Sequence, residues 1–293
     1  MATWAVIYNP TSGNFSEKKL EAALRVWREG GVETRVYPSR YAGHATILAR
    51  EISGVERVVA HGGDGTLNEV ANGVMGRGLP LVFLPGGTAN SMAWEIGMPR
   101  DAVRAAKVLL NGRPVPLFPG EVGGRVFLLM AGFGFDGTVV YLVTKRLKKW
   151  LGPASYLVTG VRALFHPKPE VRVLTPGGAL AGHWVVAARA RRYAGIFKVH
   201  PRAALLKPEL GLVVVSKAMI APFSLSNLAF GTRFTAPGMA LEDHARFRIE
   251  ADQPLHLHVD GDYVGQRIEF EVGIARQAIP FCFPAGHPAL SEG

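Results

Sequence analysis

The sequence predicts an α/β domain built on a parallel sheet, joined to a second, mostly antiparallel β domain. Three observations carry that expectation. Apolar strand-like segments alternate with amphipathic helical ones from residue 4 to residue 111. Past Pro114 the chain breaks into short β-prone stretches separated by Gly and Pro turns. Between those textures, residues 57–75 read as a buried strand, a glycine turn and a helix start. A length of 293 residues accommodates two domains, each able to bury a core.

Residues 4–8 form a short apolar strand, and Asn9-Pro10-Thr11-Ser12-Gly13 is a run of turn formers before an amphipathic helix over 17–29. A second strand and helix follow at 33–38 and 44–52, a third pair at 57–61 and 67–75, with Thr66 placed to cap the third helix. A further strand over 80–84 leads into Pro85-Gly86-Gly87-Thr88-Ala89-Asn90-Ser91, a helix over 92–95 and another over 101–111. In an open sheet of this kind ligands bind beyond the carboxyl ends of the strands, where the loops 9–13, 62–66 and 86–90 fall. The second part reads as strands over 115–118, 125–130, 171–175, 183–188, 212–215, 245–249, 255–259 and 267–272, interrupted by helices over 139–151 and 155–164. A final strand over 278–283 is expected to return to the first domain. The division expected is therefore 1–118 completed by 276–293, and 119–275.

His61-Gly62-Gly63-Asp64-Gly65-Thr66-Leu67-Asn68-Glu69 is the stretch with the clearest chemistry. Its glycines let successive N–H groups point inward, and the following helix adds the positive end of its dipole, a setting suited to phosphate. Asp64 beside a phosphate would be repelled unless a cation lay between them, which points to Mg²⁺ or to a proton-transfer task. The alternative is a plain strand-to-helix turn with a capping Asp.

Composition limits the partners. A net charge of +10 and a pI near 9.9 favour anionic partners: nucleotides, acidic lipid surfaces or nucleic acid. Nucleic acid has little support, because no recognition motif or aromatic stacking platform accompanies the charge. Cys282 is the only cysteine, so an intrachain disulfide and a thiolate zinc cluster are both excluded, and a buried thiol in a reducing compartment is expected. The N-terminus has no basic region followed by an apolar one, so no signal peptide is expected, and the expected location is cytoplasmic. No stretch reads as a spanning helix; contact with a membrane would be at its surface. Lys145-Arg146-Leu147-Lys148-Lys149-Trp150-Leu151 suits an anionic bilayer at the inner face of the cell membrane, but reads first as a solvated helix end whose cations complement the dipole. Arg189-Ala190-Arg191-Arg192 reads as an exposed basic turn or a phosphate site.

Absent motifs narrow the chemistry. There is no Walker-type phosphate loop, no His-Glu-x-x-His and no Gly-x-Ser-x-Gly. Gly132-Phe133-Gly134-Phe135-Asp136-Gly137 has dinucleotide-loop spacing, but it lacks the later acidic residue and opens no βαβ series.

Taken together, Asn9-Pro10-Thr11-Ser12-Gly13, Gly62-Gly63-Asp64-Gly65-Thr66-Leu67-Asn68-Glu69-Val70 and Leu84-Pro85-Gly86-Gly87-Thr88-Ala89-Asn90 resemble the diacylglycerol kinase catalytic-domain family, which also contains sphingosine kinases and bacterial lipid kinases. Gly132 to Asp136 resembles its Gly-x-Gly-Phe-Asp segment, and Val259-Asp260-Gly261-Asp262 its late Asp-Gly-Glu motif. The resemblance implies an ATP-dependent lipid kinase with Mg²⁺: an α/β domain for ATP and a β-rich domain for a lipid acceptor such as diacylglycerol. It implies nucleotide or metal contact from Asn9, Pro10, Thr11, Gly13, Gly62, Gly63, Asp64, Gly65, Thr66, Glu69, Gly86, Gly87, Thr88 and Asn90, with Asp64 as the metal ligand. It implies Asp262 as general base, with Asp260 as the fallback. Asp262 stands where the family has Glu, one methylene shorter, and Asp260-Gly261-Asp262 also reads as an acidic hairpin turn. Glu209-Leu210-Gly211-Leu212 departs from the Asp-Gly that bacterial relatives use for a structural metal, leaving Glu209 as the only substitute ligand. Two rival readings are a kinase for a soluble acceptor such as NAD, against which Asn68-Glu69 argues, and a nucleotide- or lipid-binding regulator without catalysis.

Overall fold

A computed structural model of the chain describes residues 2–143, 154–193, 197–220 and 238–290. It divides into two compact units, Met1–Phe118 with Arg276–Gly293, and Pro119–Ala275.

The first unit begins β1 (Ala2–Tyr8), α1 (Glu17–Glu29), β2 (Val32–Pro38), α2 (His44–Glu51), β3 (Arg57–Gly62), α3 (Asp64–Val74) and β4 (Leu81–Pro85). It continues through α4 (Ser91–Glu95), α5 (Ala102–Leu110) and β5 (Arg113–Leu117). β1 to β4 pair in parallel, and the last strand of the chain, Ile279–Phe283, enters beside β4 in parallel and pairs with β5 antiparallel. β3 and β4 are buried along almost their whole length, as apolar runs covered on both faces must be. α1 is held by Trp27, fully buried, whose indole N–H donates to Ala106 O of α5 at 3.0 Å and whose ring meets Trp4 edge-on at 5.1 Å. Truncating such a residue to Ala costs about 3–5 kcal/mol. The sheet register sets the site: Tyr8 lies opposite His61, His61 opposite Leu84, and Gly62 opposite Pro85. The carboxyl ends of β1, β3 and β4 therefore finish together.

The second unit contains β6 (Gly120–Val122), β7 (Arg125–Phe127), β8 (Met130–Gly134), α6 (Phe135–Leu142), α7 (Ala154–Ala163), β9 (Val171–Thr175), β10 (Gly178–Gly182) and β11 (Trp184–Ala188). It continues through β12 (Arg192–Tyr193), β13 (Phe197–Lys198), β14 (Leu210–Val215), β15 (Met239–His244), β16 (Arg246–Val259) and β17 (Asp262–Ile274); the closing strand of the first unit is β18. The large sheet runs β15-β14-β11-β8-β16-β17-β6-β7, with β9 beside the early half of β16 and β10 beside β9, and all its pairs are antiparallel. One face carries the core of Phe133, Val185, Leu212, Ile249, Leu257 and their neighbours. α6 packs against the other face of β16.

Several boundaries differ from the sequence expectation, for identifiable reasons. α3 starts at Asp64 with Gly63 as its cap in an extended conformation, so Thr66 lies buried within the first turn and does not cap it. The strand expected over 125–130 is two strands, broken where Leu128 and Leu129 turn their N–H groups to Asp260. The two strands expected over 245–249 and 255–259 are one, β16, because its register shift between Glu250 and Leu255 hides the continuity in a polar stretch. β15 was not expected: its half-exposed Met-Ala-Leu-Glu-Asp-His sequence lacks a strand's apolar alternation.

Candidate functional site

The three loops of the first unit are fastened to one another by main-chain bonds. Asn9 N–H donates to His61 O at 3.0 Å, and Gly86 N–H to Gly62 O at 2.7 Å. Asn14 ties the first loop to the third twice, through its own N–H to Gly86 O at 3.2 Å and through Nδ2 to Gly87 O at 2.9 Å. The second and third loops touch glycine to glycine: a Cβ on Gly87 would stand 2.3 Å from Gly63 Cα, so no side chain fits there. Gly13 opens directly onto the Thr88 hydroxyl, since a Cβ at Gly13 would fall 2.2 Å from Oγ1. Within the first loop, Asn9 Oδ1 accepts from Thr11 N–H at 2.9 Å and Thr11 Oγ1 at 2.8 Å, an Asx turn that stiffens residues 9–11. Pro10, Thr11, Gly13 and Thr88 are exposed, and Gly63, Asp64 and Gly65 half-buried. Gly62, Gly86 and Gly87 are buried below them.

Three side chains of the motif are structural ties. Asp64 Oδ2 accepts Ser91 N–H at 2.9 Å and Oδ1 accepts Met92 N–H at 3.0 Å, so its carboxylate caps α4. Burial pushes this carboxyl above its usual range, and those N–H donors hold it down in part. Glu69 does the same for α2, accepting Gly43 N–H at 2.8 Å and Ala45 N–H at 3.1 Å. Its two oxygens face that helix terminus, which gives Glu69 a capping role. Asn90, at φ 50°, closes the third loop on itself, accepting Gly87 N–H at 2.9 Å and donating to Gly87 O at 2.8 Å. Thr66 is likewise buried, against Gly62. His61 hydrogen-bonds Leu84 O through Nδ1 at 3.0 Å, and burial depresses its pKa, keeping a neutral ring under the loops. Sequence reasoning missed Asn14, because it lies one position past the turn-forming run.

In the second unit, Asp260 and Gly261 form a two-residue turn between β16 and β17 with φ 49° and 88°, closed by the Val259–Asp262 pair. The hairpin reading of this stretch is thus correct as geometry. Asp260 folds back onto the β7–β8 connection, where its carboxylate accepts N–H groups from Leu128, Leu129 and Met130 at 2.8, 2.9 and 2.8 Å. Three main-chain donors thus occupy the Asp260 carboxylate. Asp262 differs: its side chain is 45% exposed, with Arg125 Nη2 at 3.7 Å. Arg125 carried no sequence signal.

Residues 130–140 are buried throughout, so the Gly132 to Gly137 run presents no open phosphate loop. Leu210 is buried in the core, and Glu209 is exposed. The main-chain oxygens of Glu209 and Leu205 accept hydrogen bonds from the guanidinium of Arg189, which is fully buried. Burial pushes Arg189 down to about 10, which leaves it cationic at neutral pH. No group of three or more His, Cys, Asp or Glu gathers among the described residues. At this loop a guanidinium, rather than a cluster of carboxylates, meets the carbonyls of Glu209 and Leu205. Arg189 is also withdrawn from the basic cluster expected at the surface. The cluster at 145–151 lies outside the described residues. No helix among the described residues is long and apolar enough to cross a membrane.

Comparison with known proteins accords with this architecture. The family description "Diacylglycerol kinase catalytic domain" matches residues 3–122. A diacylglycerol kinase of Bacillus subtilis (strain 168) is 31% identical over 271 residues, covering 89% of either chain, and one of Staphylococcus carnosus (strain TM300) is 30% identical with the same coverage. Among solved structures, a diacylglycerol kinase from Bacillus anthracis str. Sterne superposes with a TM-score of 0.75 at 18% identity, covering 97% of this chain and 98% of that one. A second structure from that organism reaches a TM-score of 0.81 at 19% identity, over 97% and 98%. The structural likenesses show the fold, a parallel-sheet α/β unit with an antiparallel β unit. At 30% identity and above over nine-tenths of the chain, with the glycine loops in place, the chain belongs to the diacylglycerol kinase family and is a lipid kinase, a phosphotransferase whose family implies ATP as co-substrate and a lipid acceptor.

Proposed function

We propose that the protein transfers the γ-phosphate of ATP to the hydroxyl of diacylglycerol or a closely related glycerolipid. The observation that carries this reading is the convergence of loops 9–13, 62–66 and 86–90 at the ends of three adjacent parallel strands, fastened by the Gly62–Gly86 and Asn14–Gly87 bonds. The first unit is then the nucleotide domain and the second the acceptor domain. Backbone N–H groups of the glycine loops, with the Thr11 and Thr88 hydroxyls, bind the triphosphate.

Mg²⁺ fits as an ion carried with the nucleotide, since it is usually held by one or two carboxylates plus phosphate oxygens. Asp64 is the residue that would hold it, because it is the carboxylate within the glycine loop and stands half-buried beside Gly63 and Gly65. The ion supplies charge neutralisation of the phosphates. Asp262 is the base that accepts the acceptor's hydroxyl proton, favoured over Asp260 by its freer carboxylate. Phosphoryl transfer relies chiefly on positioning and charge stabilisation, with the base contributing about 10²–10⁴-fold. The net positive charge of the chain suits peripheral contact with an anionic inner membrane surface, where a bilayer lipid would be met.

The test is transfer of label from ATP with Mg²⁺ into an organic-extractable product, across diacylglycerol, phosphatidylglycerol, a sphingoid base and a prenyl alcohol in mixed micelles. A product with diacylglycerol that is lost in Asp64→Asn supports the reading. ATP binding with no product from diacylglycerol overturns it, and label found instead in an aqueous NAD or sugar acceptor added in parallel would assign the soluble-acceptor branch.

A further inference from the structure

The Gly132 to Gly137 segment has no role in the loops of the first unit, yet its structure is specific. Asp136, in the first turn of α6, and His258, near the end of β16, form a buried pair: His258 Nε2 stands 2.7 Å from Asp136 Oδ2, with side chains 0% and 5% exposed. The other ring nitrogen of His258, Nδ1, accepts the N–H of Gly261 at 3.3 Å. A ring nitrogen that accepts carries no proton, so this network assigns the ring proton to Nε2, where it is donated to Asp136. Gly261 is the central residue of the turn that presents Asp262.

The glycines of the segment serve this contact. A Cβ on Gly132 would lie 2.2 Å from Asp136 Oδ2 and 2.3 Å from His258 Nε2, in the space the hydrogen bond occupies. A Cβ on Gly137 would lie 2.1 Å from His256 O, so only glycine lets α6 settle onto β16 closely enough for Asp136 to reach. A run with dinucleotide-loop spacing is here a seat for a buried histidine.

We infer that Asp136 and His258 are positioning residues for phosphoryl transfer. Asp136 locks the tautomer and orientation of His258, His258 fixes the Gly261 peptide, and that peptide sets where the Asp262 carboxylate stands. The inference rests on the reading of Asp262 as the base. A misplacement of about 1 Å is enough to lose on the order of 10²-fold in rate.

The experiment measures kcat, KM for ATP, KM for lipid and Tm for Asp262→Asn, Asp136→Asn, His258→Gln, His258→Asn and the core control Ile249→Ala, at a temperature well below every Tm. His258→Gln keeps an N–H for Asp136 but offers Gly261 no acceptor, and should lose about 10–100-fold in kcat with KM for ATP unchanged. His258→Asn, whose Oδ1 reaches the Nδ1 position, should regain much of that loss. Asp136→Asn should resemble His258→Gln, and Ile249→Ala should keep its kcat despite a lower Tm. If His258→Gln retains full kcat while Asp262→Asn loses it, the positioning role is overturned and the base assignment stands. If Asp262→Asn is fully active, the base assignment falls and the inference with it. Should the substituted proteins fail to fold, ¹⁵N spectra of the wild type decide: a His258 ring protonated at Nε2 alone supports the network, and protonation at Nδ1 overturns it.

Discussion

The carboxylate of Asp260 accepts the N–H of Leu129 at 2.9 Å, joining two residues 131 positions apart in sequence. With the neighbouring bonds to Leu128 and Met130, it anchors the β16–β17 turn onto the β7–β8 connection. Hydrogen bonds to a charged group are each worth about 1.5–3 kcal/mol net. Asp260→Ala should therefore lower stability by at least about 3 kcal/mol. Asp260→Asn, which tolerates the left-handed φ, should lose less. Urea unfolding of the two variants checks the order, and equal losses would mean that the anion lost from both, not backbone strain, dominates there.

Asp64 and Asp262 separate two kinds of defect. Asp64→Asn removes an acceptor from the start of α4 together with the proposed metal ligand, and should leave activity at background with a stability loss of about 1 kcal/mol. Asp262→Asn should leave the fold intact and a residual rate lower by about 10²–10⁴-fold. Kinase assays beside thermal melts test both, and a more active Asp64 variant would count against the assigned roles.

Arg189 stands as a built-in cation under the loop that ends at Glu209. Replacing it with Leu strands the Glu209 and Leu205 carbonyls and should cost about 2–5 kcal/mol. With Arg189 as the cation that meets these carbonyls, a chelator should leave the melting temperature of the wild type unchanged. A large drop on chelation would show a metal in the fold after all.

Cys282 lies in β18 against the core of the first unit, and burial pushes its thiol up to about 11 from an ordinary value near 9. The folded state therefore holds its proton more tightly than the unfolded chain. This group's contribution is fully present below pH 9 and is lost as pH rises toward 11, on the order of 3 kcal/mol in all. At pH 8 a thiol reagent should label the protein only on unfolding; rapid native labelling would contradict the burial.

The first four strand–helix pairs were legible because each announces itself locally. α1 occupies residues 17–29 as expected, its apolar stripe at Leu20, Ala23 and Trp27 falling on one helical face. The glycine loops were legible for the same reason, since glycine spacing at a strand end has few uses. The tasks of Asp64, Glu69 and Asn90 were not, because a capping carboxylate and a ligand carboxylate are the same residue in sequence. Only the position of α4 and α2 against α3 shows which N–H groups they meet.

Sequence alone determined the strand–helix order of the first unit, the glycine loops and the family, because those depend on periodicity and on glycine at fixed spacing within a few residues. Tertiary structure decided what the charged residues face: Asp260 on Leu128 to Met130, Asp136 on His258, Arg189 on the carbonyls of Leu205 and Glu209. Each of those is a contact between chain segments from 16 to 132 residues apart. Burial then makes the partner of a charge obligatory, while nothing in the local sequence names it.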